Sequence, residues 1–140
     1  MIKIKSIDAQ NVLEVSKLKD NPNLKNTLIN AIFIAESKYD LELYPNAIYK
    51  NQICIGFFMY RRDKNRSEIA TLCHFMIDYS FQNKGMDKIA LEMILKGLKR
   101  QGVKKVFIKE NNHDEKLQKL YFSFGFQWNK KTKQLEINMN

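Results

Sequence analysis

The sequence predicts a mixed α/β domain with elements in the order β-α-α-β-β-β-α-β-α-β-β. Three observations predict it. Short alternating or apolar runs recur between amphipathic stretches, with no repeat, low-complexity tract or Gly/Ser linker. The stretch at about 84–101 carries apolar residues three and four apart, the period of a helix with one buried face. A strand follows that helix after a glycine, which makes a strand–helix–strand unit of parallel type. The 140 residues form a single domain, 1–140, by length alone.

Residues 2–6 alternate as a short strand. Asp8 caps the helical stretch that follows, with Val12, Leu13 and Val15 on its apolar side, and Asn21-Pro22-Asn23 breaks it. A second helical region places Leu28, Ile32 and Ala35 on one face and Glu36 and Asp40 on another, and Pro45 ends it. Residues 46–50 and Ile53–Tyr60 read as a hairpin around Asn51-Gln52. Arg61–Arg66 reads as the next loop, and Glu68–Ile77 as a third strand, largely buried from Leu72 to Ile77. The long helix has Met86, Ile89, Ala90, Met93, Ile94 and Leu98 as its core stripe, with Gly102 at C′. Lys104–Lys109 is a fourth central strand. Asn112 with Glu115 makes a capping box for a helix whose inner face is Leu117, Leu120, Tyr121 and Phe124, followed by Gly125. Residues 126–129 and 134–138 form a last hairpin.

The chain carries 24 Lys+Arg against 15 Asp+Glu, a net charge of +9, which favours anionic partners such as phosphorylated cofactors, nucleic acid or acidic proteins. Residues 71–140 hold most of it, with 13 basic and 7 acidic groups. The start, Met1-Ile2-Lys3-Ile4-Lys5, has no continuous apolar core of a secretory signal, and no run is long enough to span a membrane, so a cytoplasmic location is expected. Cys54 and Cys73 lack metal-ligand spacing and read as buried reduced thiols, and no metal is expected. A basic surface in the second half, with the Lys130-Lys131-x-Lys133 cluster, has no nucleic-acid recognition motif beside it and reads as a solvated face.

The chemical signal lies in Gln82-Asn83-Lys84-Gly85-Met86-Asp87-Lys88, between a strand and the long helix. The first N–H groups of a helix have no intrahelical partner, and its dipole makes that end partly positive. Such an end binds anions, a pyrophosphate in particular. Gly85 lets a ligand approach the backbone closely, and Lys84 and Lys88 add full charges.

Gln82-x-x-Gly85-x-Asp87 resembles the Gln/Arg-x-x-Gly-x-Gly/Ala signature of the GNAT N-acetyltransferases in two of three positions. Leu120-Tyr121-x-x-x-Gly125-Phe126 resembles the family's second signature, and both stand in the right context of strands and helices. Pro45-x-Ala47-Ile48-Tyr49, Gly56-Phe57-x-Met59-Tyr60 and Met76-Ile77-Asp78 resemble its spermine/spermidine acetyltransferase branch. The resemblance implies a mixed central sheet of six to seven strands flanked by about four helices. It implies acetyl-CoA as co-substrate, lying between two splayed parallel strands, Leu72–Ile77 and Lys105–Lys109. Backbone groups around Met76 and Ile77 would bind its pantetheine arm, and the N–H groups of Gln82, Asn83, Lys84, Gly85, Met86, Asp87 and Lys88 its pyrophosphate. Tyr121 would protonate the leaving thiolate. The acceptor would be a small-molecule primary amine, which must lose a proton before attack because alkyl ammonium groups titrate near ~10. A polyamine acceptor would need carboxylates, for which Glu36, Asp40 and Glu42 are candidates, each also readable as a surface charge. The base is open: Glu68 and His74 lie on the strand beside the thioester, and each also reads as an ordinary strand residue, as His113 reads as a solvated one. Pairing into a homodimer is a further expectation.

Three residues depart from the pattern on the cofactor surface. Asp87 replaces the last small residue of the phosphate loop. Its carboxylate suits a helix N-terminus but repels a pyrophosphate there. Asp114 stands where the family has Asn, so an amide donor is lost and a negative charge gained. Leu117 stands at a usual Ala position and narrows the channel. The alternative to an active enzyme is therefore a degenerate member that binds CoA weakly or not at all and serves as a binding or regulatory module.

Overall fold

The computed structural model describes residues 1–23, 28–109 and 114–140. Seven strands form one sheet: β1 (Ile2–Ser6), β2 (Leu43–Lys50), β3 (Ile53–Arg62), β4 (Ile69–Ile77), β5 (Lys105–Ile108), β6 (Gln127–Asn129) and β7 (Gln134–Asn138). Their order across the sheet is β1-β2-β3-β4-β5-β7-β6. All neighbours are antiparallel except β4 and β5, which run parallel. Four α-helices, α1 (Val12–Lys17), α2 (Ile29–Tyr39), α3 (Met86–Arg100) and α4 (Glu115–Ser123), complete the described structure, with a 3-10 turn at Tyr79–Phe81. One core cluster gathers Leu72, Phe75 and Ile77 of β4 with Ala90, Leu91 and Ile94 of α3 and Tyr121 of α4. The other gathers Met76 of β4 and Phe57 of β3 with Val15 of α1 and Ile34 of α2. Helices thus cover both faces of the sheet, because side chains along β4 alternate between them.

Both predicted glycine stops hold. After α3, Gly102 (φ 95°) donates to Lys99 O and Val103 donates to Leu98 O, both at 3.0 Å. After α4, Gly125 (φ 102°) donates to Phe122 O at 3.0 Å and Phe126 to Tyr121 O at 3.1 Å. Each pair of bonds is a Schellman motif, with an apolar contact between the residues three before and two after the cap. In the second, that contact is Tyr121 edge-on to Phe126, with centroids 5.6 Å apart.

Several elements differ from the sequence reading. Asp8 caps the turn ahead of α1, accepting from Gln10 and Asn11 N–H, and Asn11 is the N-cap residue. Leu13 of α1 and Ile89 of α3 are exposed, and Leu91 and Leu95 take the inner places on α3. α2 buries Asn30, Ile34 and Ser37 and turns Leu28, Ile32 and Ala35 outward. Its apolar residues lie on both sides, so Asn30, which donates to Val15 O, decides its orientation, while the Ser37 hydroxyl is satisfied within the helix by Ile34 O. Pro45 does not end that helix but lies inside β2, one residue past the last β1 partner, Asn46. Its missing N–H there interrupts no ladder. Arg61 and Arg62 belong to β3 and not to the following loop. α4 is capped by Asp114, which accepts from Lys116 and Leu117 N–H; Asn112 and His113 lie outside the described residues.

The β4–β5 ladder is short. Register runs from Ile69↔Lys105 to Leu72↔Ile108, and the last rung is Lys109 N–H to Leu72 O at 2.9 Å. On the other side of β4 the register to β3 jumps from Met59↔His74 to Tyr60↔Leu72, leaving Cys73 as a bulge. A bulge bends its strand, so β4 leaves β5 where the bulge sits. From there to Ile77 the edge of β4 is open.

Gly56 holds the opposite edge of this stretch against β3. A Cβ at Gly56 would lie 2.6 Å from Met76 O and 2.9 Å from the Ile77 side chain. Gly56→Ala is therefore expected to destabilise the protein by about 1–3 kcal/mol, as overpacking against backbone does. Urea unfolding of the two proteins checks it; an unchanged midpoint would show that β4 yields freely at this point.

Candidate functional site

The segment after β4 is tied down by its own side chains. Asp78 is buried and accepts from Lys19 N–H at 3.0 Å and from Ser80. Gln82 donates through Nε2 to Ile77 O (2.8 Å) and to Asp20 O (2.7 Å). Its amide thus holds the loop to the end of β4 and to a segment 62 residues earlier. Asn83 (φ 65°) and Gly85 (φ 79°) both take the left-handed conformation, which swings the chain into α3. Gly85 is the N-cap residue and offers no side-chain cap. A Cβ there would meet nothing within 4 Å, so the space in front of the helix end is open. Ile89 is the first residue of α3 to reach back to a carbonyl, Gly85 O at 3.3 Å. The N–H groups of Met86, Asp87 and Lys88 in the first turn have no intrahelical carbonyl to bond, and that of Lys88 turns to the Asp87 side chain.

A pocket lies in front of that turn. Met76 and Ile77 of β4, Gln82, Asn83 and Asp87 of the loop and α3, and Asp114 of α4 line it. Six of the residues predicted to hold the cofactor are thus brought together. Met86 is buried in the core, and Lys84 and Lys88 are exposed and do not line the pocket; Lys84 Nζ lies 5.9 Å from the centre of the Phe81 ring. Asp20, Lys116 and Leu117 complete the lining. Burial raises the Asp20 carboxyl above the usual range, and the nearby Asp114 raises it further. Asp87 accepts the N–H of Lys88 through Oδ1 at 2.8 Å, so a carboxylate already sits on the helix end. Met76 turns its carbonyl toward Gly56 and Asp78 N–H bonds to Ile55 O, so by alternation Phe75 and Ile77 turn their backbone groups to the side β5 has left.

A second cavity lies where β4 and β5 part. Cys73, His74 and Phe75 of β4, Ile108 of β5 and Lys109 just beyond it, and Leu117 and Tyr121 of α4 line it. Leu117 lines both cavities and stands between them. Tyr121 is 2% exposed. His74 stacks on Phe33 (centroids 4.6 Å apart), and its Nε2 lies 3.2 Å from Asn30 Oδ1. Asn30 spends its amide N–H groups on Val15 O and the Met76 sulfur, so its oxygen is the acceptor and His74 carries its proton on Nε2. Burial lowers the imidazole to about 4, so it is neutral at neutral pH. Burial raises the Cys73 thiol, and raises Cys54, in the same core cluster, to about 11; both are thiols and not thiolates at neutral pH.

The sequence model of the acetyltransferase (GNAT) family matches residues 14–126. The chain belongs to the GNAT acetyltransferase family. Solved GNAT structures share its fold over nearly the whole chain. The PaiA N-acetyltransferase of Thermoplasma acidophilum in complex with coenzyme A aligns over 99% of both chains, with a TM-score of 0.69 and 14% identity. A GNAT acetyltransferase of Brucella melitensis in complex with acetyl-CoA aligns over 100% of this chain and 89% of its own, with a TM-score of 0.71 and 11% identity. The ribosomal-protein-S18-alanine N-acetyltransferase of Escherichia coli aligns over 98% and 90%, with a TM-score of 0.69 and 16% identity. No curated protein sequence matches the chain.

GNAT enzymes use acetyl-CoA as co-substrate, and the pocket fits its diphosphate in shape: an open helix N-terminus behind Gly85, with the vacated edge of β4 beside it. The charges fit less well, since Asp20, Asp87 and Asp114 line the same space. The predicted acceptor residues are dispersed. Glu68 stands at the paired end of β4, where its carbonyl accepts from Lys104 and Lys105 N–H. It lies six residues before His74, roughly 20 Å along the strand, and does not reach the cleft. Glu36 is exposed on α2, while Asp40 (2.6 Å) and Glu42 (3.2 Å) are both bound by Arg61. Two pocket residues, Asp20 and Lys116, had no mark in the sequence. Asp20 arrives through the bonds of Gln82 to its carbonyl and of Lys19 to Asp78 and Tyr79, and Lys116 through the docking of α4. Among the described residues, no His/Cys/Asp/Glu group could hold a metal ion and no helix is long and apolar enough to cross a membrane.

Proposed function

We propose that this single-domain protein transfers the acetyl group of acetyl-CoA to a primary amine of a small molecule. The observation that carries the reading is the junction of two cavities, one at the start of α3 and one between β4 and β5, with Tyr121 on the wall of the second. Bound acetyl-CoA would supply an activated thioester. The N–H groups of Met86 and Asp87 would hold its diphosphate, and backbone groups of Phe75 and Ile77 its extended arm. Tyr121, on the last full turn of α4, would donate the proton that the leaving thiolate needs. His74 gives a neutral wall and is a weak base, and among the described residues the cleft is lined by no carboxylate, so the amine would shed its proton to solvent. With Asp40 and Glu42 both engaged by Arg61, Glu36 is the remaining candidate for a second cationic group, which favours a monoamine over a polyamine acceptor.

One observation favours the second reading, a GNAT fold that no longer binds CoA: the Asp87 carboxylate occupies the Lys88 N–H. Calorimetry with acetyl-CoA separates the two. Asp87→Asn keeps an acceptor for Lys88 and removes the charge. Two unit charges ~5 Å apart at an effective dielectric of ~20 repel by about 3 kcal/mol, less with exposure and salt, so the variant is expected to bind about 10- to 100-fold tighter. Measurable wild-type affinity that rises in Asp87→Asn supports the enzyme. No binding by either protein overturns it.

A further inference from the structure

We propose that Lys116 is a donor-binding residue that supplies the positive charge the phosphate loop lacks. This rests on the acetyl-CoA reading of the pocket. The loop offers two lysines in sequence, but Lys84 lies over Phe81, and neither it nor Lys88 lines the pocket. Three carboxylates do, from three separate parts of the chain: Asp20, Asp87 and Asp114. Lys116 is the lysine that lines it among the described residues. Its ammonium is held in place across the pocket, donating to Asn83 Oδ1 at 2.9 Å. That bond joins α4 to the phosphate loop, 33 residues apart in the chain. An amide oxygen satisfies one ammonium proton and leaves the others, and the full charge, for a ligand. A diphosphate entering between Asn83 and Asp114 would meet this ammonium directly. The exchange of a neutral acceptor for a charged one strengthens the hydrogen bond. Asp114 contributes twice: it caps α4 through the N–H groups of Lys116 and Leu117, and so sets the direction in which Lys116 leaves the helix.

The test is calorimetry with CoA at low and high salt, on the wild type, Lys116→Met, Lys116→Arg and Lys119→Met, each also in the Asp87→Asn background. Lys119 is exposed on α4, does not line the pocket and controls for general charge. The expected result is about 10-fold weaker binding by Lys116→Met at low salt, a gap that narrows at high salt, and near wild-type binding by Lys116→Arg and Lys119→Met. Lys116→Met binding like the wild type overturns the inference and leaves the acetyl-CoA reading standing. An equal loss in Lys116→Met and Lys116→Arg, unmoved by salt, also overturns it, because Lys116 would then act only as a clasp on Asn83. No CoA binding by the wild type or by Asp87→Asn overturns the acetyl-CoA reading and the inference together.

Discussion

Tyr121→Phe is expected to lower kcat by about 100-fold or more while leaving the fold and the affinity for acetyl-CoA nearly unchanged. The ring carries the packing. It packs in the core and meets Phe126 edge-on at 5.6 Å, across the Schellman turn that Gly125 closes. Phenylalanine keeps that contact and the backbone bonds of the turn. Only the hydroxyl of this cleft-lining residue is removed. Losing a general acid costs about 10²–10⁴ in rate, whereas losing a core contact would show as a lower unfolding midpoint. Following thiol release from acetyl-CoA with an amine acceptor, beside a thermal melt, separates the two. A variant with wild-type kcat would leave Tyr121 as the residue that seals the end of α4 and nothing more.

The second large effect is acid sensitivity. Burial depresses the His74 imidazole from an ordinary value of 6.5 to about 4. The unfolded chain takes up a proton near pH 6.5, and the folded chain resists it until near pH 4. In that window the unfolded state binds more protons, so stability rises with pH and is lost as pH falls. Above pH 6.5 the group contributes no slope. The full span corresponds to about 3 kcal/mol, a sizeable share of the stability of a domain this size. His74→Gln lacks the titrating group. Its urea midpoint is expected to fall less between pH 7 and pH 4.5 than that of the wild type, whatever its absolute stability. Parallel pH slopes for the two proteins would show that water reaches the ring between Phe33 and Asn30.

Much of the architecture was legible because it depends on near neighbours. The period of α3, the glycines after α3 and α4 and the Asn51-Gln52 hairpin are each decided within a few residues, by backbone sterics and by the groups a helix end must satisfy. Gly85 and the loop around it were legible for the same reason, and so was the position of Tyr121 four residues before Gly125. The orientation of α2 was not. Leu28 and Ile32 look like an inner face by hydrophobicity, yet Asn30 turns inward because Val15 O and the ring of His74 are there to receive it. Pro45 reads as a helix stop until β1 is seen to end beside it. Glu68 and His74 share a strand in sequence, but only the bulge at Cys73 shows which end of that strand opens.

The sequence by itself determined the family, the order of elements, the open helix end behind Gly85 and the tyrosine at the end of α4. Those features reside in local chain geometry and in residue types at fixed short spacings. Only the tertiary structure decided the charge of the pocket. Asp20, Asp87, Asp114 and Lys116 come from segments far apart in the chain, and they meet because Gln82 ties the loop to Asp20 and Lys116 reaches across to Asn83. Electrostatic energy depends on distance through space and on burial, and neither can be read from position along the chain.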